Sequence, residues 1–214
     1  YFGDWGGTIT ALDLRTHRAL WTYHTGNKIT SSASYLNGTI FIGDYSGRLL
    51  ALGARTGGLR WSAGVNGRIY GTPAVADGRV FAPSSDGNTM NAFTTNGHHL
   101  WTINTGAYVY SSPAVWRGRV YFGSYNGDLY CVSAATGSIL WRFDTAGSIQ
   151  GAPTIVDGIV YFATRQHRIY GVTALTGRQV FRFPDGAFVA VSGNGARLLL
   201  HGFSRLYAVE PRHR

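Results

Sequence analysis

The chain has one cysteine and one methionine among 214 residues, and only 14% of its residues are charged. A single thiol, Cys131, excludes an intrachain disulfide framework and any metal site built from several cysteines. No apolar run reaches the roughly 18 residues that a membrane-spanning helix needs. No stretch keeps the 3.6-residue apolar period long enough to make an amphipathic helix, so helix content is expected to be close to nil. Acidic residues are also few, 10 against 19 lysines and arginines. Many of them, including Asp4, Asp44, Asp77, Asp86 and Asp157, fall in turn-forming sequence, where aspartate shapes the backbone. The net charge of +9 favours anionic partners in general, nucleic acid, anionic lipid or acidic polymer alike. Eighteen of the nineteen cations are arginines scattered along the chain, which compositional bias also produces.

What the sequence has in abundance is repetition. Residues 121–160, YFGSYNGDLYCVSAATGSILWRFDTAGSIQGAPTIVDGIV, return in variant form at 1–40, 41–80, 81–120 and 161–200, with a partial copy at 201–214. A fixed period of about forty residues made of short alternating segments indicates stacked units that cannot bury their apolar faces alone. Each unit reads as four short strands, the first of which, in the 121–160 copy, runs from Gln150 to Val156. Hairpin signals, Asn37-Gly38, Asp77-Gly78, Arg117-Gly118 and Asp157-Gly158, separate the first two strands. The expected fold is therefore all-β: a β-propeller of four-stranded antiparallel blades, with about five to six blades in one domain over 1–214. The 30 glycines and 14% aromatic residues suit tight turns and aromatic packing between blades.

Strand counting bears on closure. Residues 1–25 supply the last three strands of a blade, four complete blades follow, and 187–211 supplies the first three strands of another. Open sheet edges invite association, so the expectation is a piece of a larger, seven- or eight-bladed ring with upstream blades missing. Tyr1 lies within strand-like sequence, and the one methionine is Met90, so the natural N-terminus is expected upstream of Tyr1.

The familiar chemistries find no footing. His98-His99 lies on the turn before Trp101, where adjacent side chains rarely direct both rings at one metal, and the other histidines occur singly. Ser31-Ser32 and Ser111-Ser112 recur at one repeat position with no base nearby, which makes them part of the repeat rather than activated nucleophiles. Cys131 takes the place held by Ala11, Ala51, Gly171 and Ala208, the signature of a small buried residue. No catalytic, cofactor-binding or metal-binding residue is assigned.

The surface offers more. In a propeller the loops between the second and third strands share a face with the blade-to-blade connections. That places Trp5, Lys28, Tyr45, Arg68, Tyr70, Tyr108, Tyr110 and Tyr125 on one face, the residue types enriched where proteins bind. Each tyrosine could equally cover its own hairpin.

The segments ALDLRTHRALW at 11–21, ALGARTGGLRW at 51–61 and CVSAATGSILW at 131–141 resemble the tryptophan-docking motif, A-x-D-x-x-T-G-x-x-x-W, of pyrroloquinoline-quinone-like (PQQ-like) propeller repeats. Trp21, Trp61, Trp101 and Trp141 match its tryptophan, and Thr56-Gly57, Thr136-Gly137 and Thr176-Gly177 its turn. Departures are His17 for the glycine, Gly53 and Ser133 for the aspartate, and Phe181 for the tryptophan. The motif is a packing device, so these four tryptophans are expected in equivalent buried positions between blades. The resemblance, which extends to BamB-type and quinoprotein propellers, implies a bacterial, extracytoplasmic, non-catalytic binding or scaffold module. Its partner would be a protein or an anionic polymer, with a small-molecule substrate disfavoured. The alternative it implies is the propeller portion of a PQQ-dependent dehydrogenase. Such enzymes hold PQQ with calcium through a vicinal cysteine pair and ligand loops, whereas this chain has one cysteine and an unbroken forty-residue spacing.

Overall fold

A computed structural model describes residues 1–187, 191–193, 197–202 and 204–210. Every regular element among them is a β-strand, and none of them forms a helix able to cross a membrane. The chain divides into two compact units, Tyr1–Val109 and Tyr110–Arg214.

The first unit contains three antiparallel sheets in chain order. β1 (Phe2–Gly3), β2 (Thr8–Asp13) and β3 (Arg18–His24) form a three-stranded sheet. β4 (Ser34–Leu36), β5 (Thr39–Gly43), β6 (Arg48–Gly53) and β7 (Leu59–Gly64) form the next, followed by β8 (Ala74–Ala76), β9 (Arg79–Ser84), β10 (Thr89–Thr94) and β11 (His99–Asn104). The second unit repeats the pattern. It holds β12 (Ala114–Trp116), β13 (Arg119–Gly123), β14 (Asp128–Ser133) and β15 (Ile139–Asp144), then β16 (Thr154–Val156), β17 (Ile159–Thr164), β18 (Arg168–Thr173) and β19 (Gln179–Phe183). A three-stranded sheet of β20 (Ser192–Gly193), β21 (Leu198–His201) and β22 (Leu206–Val209) completes it. Strands pair with their chain neighbours throughout, the meander of a propeller blade.

Burial explains the sequence pattern. The second and third strands of each full blade are covered on both faces, which is why they read as nearly continuous apolar runs such as Thr39–Gly43 and Arg119–Gly123. The outer strands alternate, with β7 and β15 half-buried at every second position. Apolar layers fill the space between consecutive blades within each unit. Ile9, Ile29, Ile40, Ile42 and Leu50 join the first two sheets, Phe41, Leu49, Ile69, Val80 and Phe93 the next two. In the second unit the layers are built on Tyr121, Ile149, Phe162 and Val172, and on Tyr161, Ile169, Val191 and Leu200.

The hairpins anticipated between the first two strands are present: Asn37-Gly38, Asp77-Gly78, Arg117-Gly118 and Asp157-Gly158 all have positive φ at both positions, as a type I′ turn requires. The first strand is shorter than the sequence suggests. It starts at Thr154 rather than Gln150, because Pro153, like Pro73 and Pro113 at the same place, has no N–H to give to a ladder. Ile149 makes only an isolated bridge to Thr164.

The tryptophans occupy equivalent positions in the hairpin of the third and fourth strands. A bulge falls in each, between Ala11 and Leu12, Ala51 and Leu52, and Cys131 and Val132 at one repeat position, and one residue later in the period between Ala92 and Phe93. Immediately before it the small residue pairs with the tryptophan: Ala11 with Trp21, Ala51 with Trp61, Ala92 with Trp101 and Cys131 with Trp141. That pairing accounts for the small-residue position at which Cys131 stands. The indole N–H then reaches the next blade, where Trp21 donates to the Ala54 carbonyl at 2.9 Å, Trp61 to Thr95 at 2.8 Å and Trp141 to Ala174 at 3.1 Å.

The ring lies on the glycine of the neighbouring turn. A Cβ added at Gly57, Gly97 or Gly177 would stand 2.7–2.8 Å from Trp21, Trp61 or Trp141, and each glycine has φ between +70° and +89°. Both facts demand glycine there. Full burial of all four rings is not found: Trp101 is buried, while Trp21, Trp61 and Trp141 are half-buried. They belong to outer strands, so one edge stays in solvent while the face packs and the N–H is satisfied.

Candidate partner-binding face

The loop between the second and third strands and the connection leaving the fourth strand meet at one end of each blade. Two devices hold them there. The connection's aliphatic residue packs on a glycine ending the second strand: a Cβ at Gly43 would come within 2.2 Å of Ile69, and one at Gly123 within 2.1 Å of Ile149. The same aliphatic residue donates its N–H to the loop, Ile29 to the Asp4 carbonyl at 3.0 Å, Ile69 to Asp44 at 3.2 Å and Ile149 to Ser124 at 3.1 Å. The following blade adds a third tie, since Tyr45 N–H donates to the Lys28 carbonyl and Ser85 N–H to Arg68. The side chains at this end are thus mounted on a backbone whose polar groups are already paired.

In the first unit, the Lys28 ammonium lies 5.0 Å from the centre of the Trp5 ring, which is 68% exposed. One blade on, the Arg68 guanidinium lies 5.5 Å from the Tyr45 ring, and Tyr45 and Tyr70 pack with centroids 4.8 Å apart. Arg68 also meets Asp86 of the next loop, its backbone N–H donating to Oδ1 at 2.6 Å and its Nε standing 3.7 Å from Oδ2. A hydrogen bond with the Tyr70 hydroxyl, helped by the charges of Tyr70 and Asp86, pushes the Arg68 pKa above the ordinary arginine value. Tyr108 stands exposed on the connection after β11.

In the second unit, Tyr110 and Tyr125 pack with centroids 5.0 Å apart. The Tyr125 hydroxyl donates to Gln150 Oε1 at 3.1 Å, and the Arg165 guanidinium lies 5.9 Å from the Tyr125 ring. All eight residues singled out in the sequence therefore lie on loops or connections at this end of the blades of their own unit. Trp5, Lys28, Arg68 and Tyr108 are exposed, and Tyr45, Tyr70, Tyr110 and Tyr125 are half-buried by their ring partners. The alternating cation and aromatic composition suits a surface that binds through flat, amphipathic contacts.

Arg165 and Gln150 were not legible in the sequence. Arg165 lies on the loop between β17 and β18 and Gln150 on the connection between β15 and β16; neither segment has an aromatic residue, so nothing marked them as completing the Tyr125 cluster. Asp44 has the opposite status: fully buried, it accepts from the N–H groups of Ser46 and Arg48 and pairs with the Arg48 guanidinium at 3.0 Å, which makes it the organiser of its loop.

The remaining chemistry-bearing side chains are placed structurally. Ser31 Oγ donates to the Gly43 carbonyl and accepts from Gly43 N–H, and Ser111 Oγ donates to Gly151 O. His99 opens β11 rather than lying on the turn, with Nε2 2.8 Å from Thr102 Oγ1 and its ring edge-on to Phe93. Burial pushes the Cys131 thiol pKa up. A quinone-and-calcium site of the kind implied for the dehydrogenases does not fit these residues. The one thiol is enclosed in β14, and among the described residues no three or more histidine, cysteine or carboxylate side chains converge.

A family model described as the outer membrane protein assembly factor BamB matches residues 6–108 and 92–212. No curated protein sequence matches the chain. Among solved structures, BamB from Moraxella catarrhalis superposes with a TM-score of 0.83 at 21% identity, covering 97% of this chain and 65% of that one. A quinohemoprotein alcohol dehydrogenase from Pseudomonas putida superposes with a TM-score of 0.74 at 17% identity, over 85% of this chain and 40% of the enzyme. One from Comamonas testosteroni gives 0.77 at 13% identity, over 93% and 49%. The chain thus spans less than two thirds of the length of each of these structures, and the likeness shows a shared β-propeller fold.

Proposed function

Because the chain belongs to the family of the outer membrane protein assembly factor BamB, we propose that it is a non-catalytic, extracytoplasmic binding module that engages a protein partner. The contact is made through the loop end of its blades. The observation that carries this reading is a cation set on an aromatic ring in successive blades, on a pre-paired backbone: Lys28 on Trp5 and, forty residues on, Arg68 on Tyr45 beside Tyr70, with Arg165 on Tyr125 in the second unit. Aromatic rings bury a large area at little entropy cost, and arginine adds a planar fork of donors that stacks on them, which is why these types are enriched at binding hot spots. The surface ion pair of Arg68 with Asp86 contributes little to stability, so holding that guanidinium in place serves contact better than folding.

The dehydrogenase reading shares the fold and gains nothing from the donor set, since the one thiol is buried and no inserted loop interrupts the repeat. Supplying PQQ with calcium and following dye-linked alcohol oxidation separates the two; turnover above background would favour the enzyme.

Photo-crosslinking in cells tests the binding reading. A photoreactive residue at Tyr70 or Tyr45 should give a discrete protein adduct that disappears in the Arg68→Ala background. Adducts arising only from probes on the outer strands, such as at Thr102, would refute it.

A further inference from the structure

We infer that Asn66-Gly67, on the connection between β7 and β8, is a self-modifying site, where the asparagine closes to a succinimide, reopens as isoaspartate and so unseats Arg68. In the first step the Gly67 backbone nitrogen gives up its proton and attacks Cγ of Asn66. A C–N bond forms there, and the side-chain nitrogen leaves as ammonia. Water then opens the ring at either carbonyl, giving aspartate or, with the main chain rerouted through Cβ and Cγ, isoaspartate. The reaction requires a glycine after the asparagine, a side-chain amide free to turn, and a backbone N–H that is not held elsewhere.

Asn-Gly occurs at 37, 66, 96, 126 and 194, the last outside the described residues. At three of the others the fold withholds a requirement. Gly97 N–H donates to the Thr94 carbonyl at 2.9 Å and Gly127 N–H to Ser124 at 3.2 Å. The Asn126 amide is itself tied, donating to the Tyr130 hydroxyl at 2.8 Å and accepting from Asp128 N–H at 3.0 Å. Asn37 holds φ at +45° in the tight turn that closes the β4–β5 hairpin, so swinging its backbone toward ring closure breaks that hairpin.

Asn66 is exposed, and neither its side chain nor the Gly67 N–H makes a hydrogen bond among the described residues. One substitution in the repeat explains this. Thr25 Oγ1 accepts from Asn27 N–H at 3.1 Å and donates to the Asn27 carbonyl at 2.8 Å, and Thr145 Oγ1 clamps Gly147 in the same way at 3.1 and 2.7 Å. The second blade has Val65 at this place. Without a hydroxyl, the N–H two residues on is left unheld.

The product does not fit where the asparagine did. The Asn66 carbonyl accepts from Ser84 Oγ and lies on Gly87, where an added Cβ would stand 1.4 Å from it. In isoaspartate that carbonyl becomes a free carboxylate, and the main chain gains a methylene. The new charge faces Asp86, which accepts from Arg68 N–H at 2.6 Å and holds the guanidinium beside Tyr45. The change therefore falls on the surface proposed above for partner contact.

Peptide mapping of the full chain after incubation in mildly alkaline, heavy-oxygen water tests this. Label should enter residue 66 ahead of residues 37, 96 and 126. Val65→Thr, which restores the hydroxyl, should slow entry at residue 66 about fivefold, the factor that one ordinary hydrogen bond is worth. An unchanged thermal unfolding midpoint shows that this variant is folded. In denaturing urea all four sites should label at similar rates. In the converted fraction, separated by its added negative charge, hydrogen exchange at the Arg68 amide should lose its protection. Neither readout depends on whether the loop end binds a partner. The inference is overturned if residue 66 labels no faster than residue 96, if Val65→Thr changes nothing, or if the same order persists in urea. Unchanged protection of Arg68 in the converted fraction would overturn its second half.

Discussion

The two ends of a blade are built on the same forty-residue period and differ in what the period preserves. At the turn end, tryptophan recurs with little change at 21, 61, 101 and 141, and the glycine under it at 57, 97 and 177. At the loop end the equivalent loop positions read Trp5, Tyr45, Ser85, Tyr125 and Arg165. A contact that joins one blade to the next has to be the same at every junction, because each junction has the same shape. A surface that meets a partner has no such constraint, and its residues vary from blade to blade within an amphipathic theme.

Stability measurements would break this contrast most readily at the tryptophans. Trp61→Ala removes a half-buried indole and its hydrogen bond to the Thr95 carbonyl, and should lower unfolding free energy by about 3 kcal/mol in urea titrations. Gly97→Ala should cost about 2 kcal/mol, since the residue has φ of +89° and the new methyl would meet the Trp61 ring at 2.8 Å.

The small-residue position sharpens the comparison through Cys131. Its thiol is enclosed against Trp141 and its pKa is raised by burial, so thiol reagents at pH 8 should label it only after denaturant is added. Labelling at the rate of a free thiol in the native protein would place it outside the interblade layer.

Smaller still is the effect at His17, which stands where the motif has glycine and holds φ at +55°. His17→Gly relieves that conformation and should raise stability by up to about 1 kcal/mol. Asp13, in the same turn, has its pKa lowered below 3.8 by the backbone N–H groups of Thr16 and Arg15. A depressed carboxylate favours the folded state above its unfolded pKa, and that contribution is lost as pH falls through the folded value. Asp13→Asn should therefore lower stability slightly at about pH 7, with the difference from the parent chain vanishing as pH falls through and below the ordinary carboxylate range.

The sequence made the turn end nearly transparent and the loop end only partly so. Repetition is what carried the reading: the hairpin dipeptides at 37, 77, 117 and 157, the tryptophan spacing and the division into three- and four-stranded sheets all follow from one copy of the period. Half-burial of Trp21, Trp61 and Trp141 was not visible, because exposure depends on which strand ends a sheet and not on the residue. Arg165 on Tyr125 was hidden because the two lie forty residues apart on loops of unlike composition, and no propensity links them. The pairing of arginines with carboxylates was equally hidden. Total charge is a property of composition, whereas pairing requires Asp44 and Arg48, or Arg68 and Asp86, to be brought to the same loop by the fold.

The central claim is that the loop-end aromatics and cations are there for a partner and not for the fold. The unfolding midpoint of the triple variant Tyr45→Ala, Arg68→Ala, Tyr70→Ala tests it most directly. The account predicts a midpoint close to that of the parent chain, with any loss well below that of Trp61→Ala. A fall as large as that of Trp61→Ala would show that these side chains hold the blades together, and would contradict the claim.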